Sequence, residues 1–241
     1  MQKEFYRNKQ FNIKMERKNE TPSLKEGKEQ SMTASGVVEF LETHQNLLIG
    51  IFGGIIGLIV LFFVLNQYVW GPREEAAKNE IFKAQQMFAR DSFQVALDGK
   101  EDEFMGFLDI IDEYGSTSTG NVACAYAGIC LKNLGEFEDA IKYLNKFSGS
   151  DELVSPSIMG SIGDCYWDMD NASKAIDYYK KAANMADNDL LSPLYKKRAA
   201  LAYLSMDKKS EAIKLLEEIT TQYPNYQDMN EVLKFLELAK Q

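Results

Sequence analysis

A chain of 241 residues, 45% hydrophobic and 26% charged, is long enough for one or two folded domains with a substantial core. Its formal net charge of −9 is unevenly spread: residues 1–70 carry eight Lys/Arg and seven Asp/Glu, whereas residues 71–241 carry 19 and 29. A negative folded part argues against nucleic-acid binding, which needs basic surface to displace phosphate counterions, and three irregularly spaced cysteines argue against a disulfide scaffold or a zinc site.

Residues 1–32 are polar, lack apolar periodicity, and are expected to form a disordered tail. Residues 33–46, "TASGVVEFLETHQN", read as a short juxtamembrane helix. The stretch "LLIGIFGGIIGLIVLFFVL", Leu47 to Leu65, has nineteen residues without a charge. As a helix it covers about 30 Å, one hydrocarbon core. Tyr68 and Trp70 follow it, the place for aromatics at a headgroup interface, so residues 47–70 read as a transmembrane anchor. A cleaved signal peptide fits poorly: the apolar run is too long, no A-x-A site follows, and the preceding tail is long.

Gly50, Gly53, Gly54 and Gly57 form two overlapping GxxxG spacings, a face on which a second membrane helix packs closely, although glycine is also simply common in such helices. Orientation by charge is mixed. The eight basic residues of the tail favour the tail inside, but close to the membrane only Lys28 precedes the span while Arg73, Lys78 and Lys83 follow it. Met15 and Met32 are alternative starts, and a start at Met32 removes every basic residue of the tail.

Past Pro72 the apolar pattern is helical almost throughout, and it repeats. "GEFEDAIKYLNKF", "DNASKAIDYYKKA" and "DKKSEAIKLLEEI" align on Ala140, Ala175 and Ala212, which lie 35 and 37 residues apart. Each shares Ala-Ile and then Leu144, Tyr179 or Leu216. Twelve residues before each alanine stands a small residue (Gly128, Gly163, Ala200), and three after that Leu131, Tyr166 or Tyr203. Two antiparallel helices cross closely only where both present small side chains, with larger neighbours filling the adjoining grooves. Five before the alanine comes Gly135, Asp170 or Asp207, placed in a turn that asks for a left-handed residue. Pro224 follows the last copy.

These residues resemble the tetratricopeptide repeat (TPR) family, over about 119–224, with the usual early tryptophan replaced by Cys124, Met159 and Lys196. The implied units are 121–154, 156–189 and 193–226. A divergent unit, 77–118, precedes them, carrying Ala84, Met87, Asp91, Phe93 and Ala96 at the same offsets. Its ten surplus residues fall at "DGKEDE", expected to be a loop before a helix "FMGFLDIIDEY". After Pro224, residues 227–240 read as a capping helix with Asp228 as N-cap. The expected fold is therefore all-α: one transmembrane helix, then a TPR superhelix of antiparallel helix pairs (71–241) closed by a capping helix.

Catalytic motifs are absent: there is no GxxxxGK[ST], GxSxG or HExxH, and the single histidine, His44, lies beside the membrane segment. No cofactor, metal site or enzymatic activity is expected. Carboxylate groups such as Asp109/Asp112/Glu113 and Asp168/Asp170 read as solvated helix faces or turns. Cys124, Cys130 and Cys165 read as buried free thiols, Cys130 and Cys165 occupying one slot in adjacent repeats at a spacing too wide for a disulfide.

The TPR resemblance implies a concave groove lined by the first helix of each unit. Its positions carry over to Phe88 in the divergent unit, then to Ile129, Lys132 and Asn133, to Asp164, Trp167 and Asp168, and to Lys197, Leu201 and Leu204. Trp167 is the favoured hot spot, the alternative being that it packs against a neighbouring repeat or the capping helix. The layout, one membrane helix followed by about four units, resembles bacterial single-pass TPR proteins that accompany the Sec translocon. That resemblance implies an inner-membrane protein with its N-terminus cytoplasmic and its repeats periplasmic. It would be a non-enzymatic accessory of export, with translocon subunits, periplasmic chaperones or exported chains as partners. A structural scaffold or tether of another envelope complex is the alternative.

Overall fold

The computed structural model describes residues 41–241, so the expected tail and most of the expected juxtamembrane helix lie outside the described residues. The chain divides into two units between Leu61 and Phe62. Helix α1, Gln45–Leu65, is the apolar run. None of its residues is buried, and by length and composition it is able to cross a membrane. Gly50, Gly53, Gly54 and Gly57 have open space where a Cβ would stand.

Asn66–Trp70 continues as a π-helical turn in which the Gly71 amide donates to the Asn66 carbonyl, five residues back. Pro72 accounts for the widening, because its ring crowds the carbonyl four residues earlier and it has no N–H to offer. Rather than ending helical structure there, Pro72 sits in the first turn of α2, Gly71–Phe88.

Beyond α2 come α3 (Phe93–Asp98), a two-stranded hairpin, and α4 (Phe107–Tyr114). The surplus residues of the divergent unit are thus no plain loop. Gly99–Lys100 pairs antiparallel with Phe104–Met105 in the register Gly99↔Met105 and Lys100↔Phe104. The pairing takes Phe104 and Met105 out of the expected helix, which starts at Phe107 instead. Gly99 and Gly106 make this possible: a Cβ on Gly106 would stand 2.2 Å from the Gly99 nitrogen.

Three helix pairs follow: α5 (Ser118–Leu134) with α6 (Phe137–Leu144), α7 (Val154–Asp168) with α8 (Ala172–Ala186), and α9 (Leu191–Ser205) with α10 (Lys209–Gln222). Helix α11, Met229–Lys240, closes the stack. The central alanines Ala96, Ala140, Ala175 and Ala212 are fully buried, as are Ala84 and Ala200 on the facing helices. A Cβ on Gly128 would stand 2.5 Å from Leu144 Cγ, and one on Gly163 2.6 Å from the Tyr179 ring. Between units the same device recurs, with Gly160 giving space to the Tyr195 ring of the next first helix.

One turn serves four pairs. Asp91, Gly135, Asp170 and Asp207 all have positive φ (57°, 84°, 56° and 56°). In each, that residue's amide donates three residues back (to Phe88, Lys132, Trp167 and Leu204) and the next amide donates five back (to Met87, Leu131, Tyr166 and Tyr203). This is the Schellman closure, which satisfies the last carbonyls of the first helix and reverses the chain within two residues. Starts are equally local: Asp151 accepts from the Leu153, Val154 and Ser155 amides before α7, and Asn188 from those of Leu190 and Leu191 before α9.

The core runs through the stack in three clusters. Phe107, Ile110, Leu144 and Ile162 anchor the first, with Phe88 edge-on and Tyr126 stacked against Phe107, and Phe93 edge-on to Phe88. Tyr179 and Tyr195 centre the second, and Leu216, Ile219 and Val232 the third. Cys124, Cys130 and Cys165 are buried free thiols; burial pushes Cys130 up to about 12 and Cys165 up to about 11, so both stay protonated and unreactive at neutral pH.

Helix α11 is fastened by a buried cation. Lys197, 7% exposed, donates to Asp228 at 2.8 Å and also to Glu231, both carboxylates belonging to the cap. Asp228 stands at the N-cap position but makes no side-chain cap bond, because its carboxylate is turned to Lys197 and to the Tyr226 hydroxyl. Burial alone would lower the Lys197 ammonium, yet the hydrogen bonds to Asp228 and Glu231 outweigh it and raise it. The bond from Lys197 in turn holds Asp228 below its ordinary value.

Two predictions follow from these contacts. Gly128→Ala costs about 1–3 kcal/mol by overpacking against Leu144, and Gly135→Ala, which meets open space, costs about 1–2 kcal/mol from left-handed strain alone; urea unfolding of the full chain in detergent measures both. For the clasp, the depressed Asp228 contributes above its unfolded value of 3.8 and the raised Lys197 contributes below its unfolded value of 10.5. The protection of the α11 amides, the slowing of their exchange relative to that of an unfolded peptide at the same pH, is therefore greatest between these limits and falls as the pH drops through the folded Asp228 value or rises through that of Lys197. Lys197→Met removes the pH dependence, and unaltered exchange in that variant would refute the clasp.

Candidate interaction groove

The first helices α5, α7 and α9 lie side by side and present one face to a cleft of about 340 Å³. Its organising group is the Asp164 carboxylate of α7. Lys132 of α5 donates to it at 3.4 Å, the Tyr179 hydroxyl of α8 at 2.9 Å, and Arg198 of α9 forms a direct ion pair with it. The contact order is a diagonal: Lys132 lies 32 residues before Asp164, and Arg198 lies 34 after it. Neighbouring first helices cross at an angle, so each step along the stack retreats about one helical turn. Trp167 and Leu201 form the next diagonal and supply the apolar wall of the same cleft.

The electrostatics keep this network in one state. Burial, followed by the Asp164 charge beside it, pushes the Tyr179 phenol far above its ordinary value, so it remains a hydrogen-bond donor. Burial opposes the charge on Arg198, but the attraction and hydrogen bond of Asp164 more than offset it, and the guanidinium stays ionised. Three repeats are joined through one carboxylate.

Trp167 is 40% exposed at the end of α7. Beyond it lies a second cleft of about 740 Å³, bounded by the α7–α8 turn from Met169 to Ser173 and by Ser205 and Met206. The indole is thus a ridge between two clefts. Asp168 faces the first and Asp170 the second, both exposed.

Of the residues expected to line a groove, Lys132, Asp164, Trp167, Asp168 and Leu201 border the first cleft. The others are placed elsewhere. Phe88 is drawn into the aromatic packing with Phe93, Phe107 and Tyr126, because the short α3 leaves the first core cluster to be filled by side chains from α2 and α4. Ile129 packs on that cluster and Leu204 on the last one. Asn133 is exposed, but its amide donates to the Ile129 carbonyl of its own helix. Lys197 is covered by α11, since in a final unit that position meets the cap instead of open groove. Tyr179 and Arg198 were missed. Tyr179 reads as a packing position, yet its hydroxyl reaches past the core to Asp164. Arg198 was findable from the diagonal, as the cation lying one repeat after an acid. Among the described residues no group of His, Cys, Asp and Glu is arranged to hold a metal ion.

Residues 156–189 and 198–226 each match a tetratricopeptide repeat profile. Among solved structures, the crystal structure of MamA protein is similar at a TM-score of 0.52 and 16% identity, over 70% of this chain and 84% of that one, a likeness of fold. No curated protein matches the chain in sequence. The two matched segments coincide with α7–α8 and with most of α9–α10 and the turn after it, and the helix pair α5–α6 before them repeats their turn and their buried alanine; residues 156–189 and 198–226 of this chain are tetratricopeptide repeats.

Proposed function

We propose that this chain is a membrane-anchored TPR module that holds a protein partner in the groove around Trp167. The observation that carries the reading is a tryptophan left 40% exposed between two clefts, on a scaffold whose neighbouring polar groups are already locked together. A part-exposed tryptophan bordering preformed clefts is a typical energetic centre of protein interfaces, and TPR domains bind protein partners.

Helix α1 serves as the anchor in the bacterial inner membrane, with the tail cytoplasmic and the repeats in the periplasm. The glycine face of Gly50, Gly53, Gly54 and Gly57 meets another membrane helix. In this reading the protein is an accessory of the Sec translocon and the periplasmic chaperone network, and its groove engages a chaperone or an exported chain. The support is the layout: an apolar helix of spanning length followed by stacked repeats without a catalytic motif.

Photoreactive residues placed at Trp167 and at Gly54 test this in cells. Crosslinks from position 54 to a translocon subunit, and from position 167 to chaperones or exported chains, are the expected result. Recovery of one unrelated envelope complex at both positions would replace export with a scaffolding role. Protease digestion of spheroplasts checks the orientation: the repeats are expected to be cleaved, and their protection until lysis would overturn it.

A further inference from the structure

The charges around Trp167 are not equivalent. Lys132 and Arg198 are both engaged by Asp164, so the cations of the first cleft are already spent inside the protein. Asp168 and Asp170 flank the indole, one in each cleft, and neither takes part in an ion pair among the described residues. Beside them stand apolar surfaces: Leu201 on one side of the ridge, Met169 and Met206 on the other. The domain as a whole adds to the same sign, with 19 Lys/Arg against 29 Asp/Glu in residues 71–241. An acidic guest, or a free carboxylate, would meet two unpaired carboxylates and no unengaged cation in either cleft.

Resting on the groove reading, we propose that the two clefts receive an extended peptide segment that places a large apolar side chain against Trp167 and Lys or Arg side chains on Asp168 and Asp170. Charge complementarity selects the sign of the guest. Methionine walls adapt to leucine, phenylalanine or methionine alike, so the surface discriminates charge pattern more sharply than apolar shape. The Asp164 network fixes the floor in advance, and the guest orders itself against a rigid surface.

The test uses the full chain in detergent or nanodiscs and two labelled peptides of about a dozen residues. Both carry the same leucines and phenylalanine; one has lysines and the other glutamates at the remaining charged positions. Fluorescence anisotropy reads binding. The lysine peptide is expected to bind about three- to tenfold more tightly than the glutamate peptide at low salt, the contribution of two exposed ion pairs, and the advantage shrinks at about 0.5 M salt. The double variant Asp168→Asn and Asp170→Asn removes the preference with unchanged melting temperature, while Trp167→Ala lowers the affinity for both peptides about tenfold.

Tighter binding of the glutamate peptide, or equal binding of both with loss in Trp167→Ala, overturns the charge inference and leaves the groove reading standing. Binding of the lysine peptide that is indifferent to both Trp167→Ala and the double asparagine variant overturns the inference, because the contact is then non-specific. If neither peptide binds, the inference is overturned, and crosslinks from position 167 in cells decide the groove reading separately.

Discussion

Everything in the repeat domain depends on how closely two antiparallel helices approach. At Gly128, Gly163 and Ala200 the first helix of each pair offers little or no side chain, and the second helix answers with Ala140, Ala175 or Ala212. That contact brings Leu144, Tyr179 and Leu216 down beside the small residue and into the core. A pair so close has no room for a long connection. Hence the two-residue reversal, and hence the left-handed residue, glycine once and aspartate three times, that makes the reversal sterically possible. Identical pairs stack identically, and stacking then puts α5, α7 and α9 side by side with one face open.

Much of this was legible in the sequence because the constraint acts at fixed offsets. An alanine preceded by a small residue twelve earlier and a turn residue five earlier needs no tertiary knowledge to recognise. Legibility failed where a side chain's fate depends on a different element. Lys197 holds a groove position by offset, but only the presence of α11 decides whether that position faces space or the cap. Phe88 is similar: a full second helix would have covered the core, and the shortened α3 leaves the aromatic to do it. The hairpin at Gly99–Met105 was hidden because its two strands have two residues each, too few for a period-two pattern to register.

The two carboxylate–cation arrangements illustrate different uses of a partly buried charge. At the cap, Lys197 is enclosed and its partners, Asp228 and Glu231, keep contact with water, so the clasp joins the last repeat to α11 without isolating three charges from solvent. At the groove the arrangement is inverted: Asp164 is the central group, and Lys132, Tyr179 and Arg198 arrive from three different helices. Removing any one donor leaves the others paired, whereas removing the carboxylate leaves two cations side by side. The network therefore constrains the relative positions of three repeats more than it stabilises any one of them.

That distinction bears on which groups recognise a partner. A side chain already held by neighbours at hydrogen-bonding distance must break those bonds before it can serve a guest, and the exchange yields little net free energy. Lys132 and Arg198 are in that position; Trp167, Asp168 and Asp170 are not. Water covers the exposed part of the indole, and a guest that displaces it gains apolar burial without first disrupting the scaffold. The same argument explains why the tryptophan stands at the end of α7. There the helix gives way to the tight turn, the neighbouring second helix begins only at Ala172, and 40% of the residue stays open to solvent.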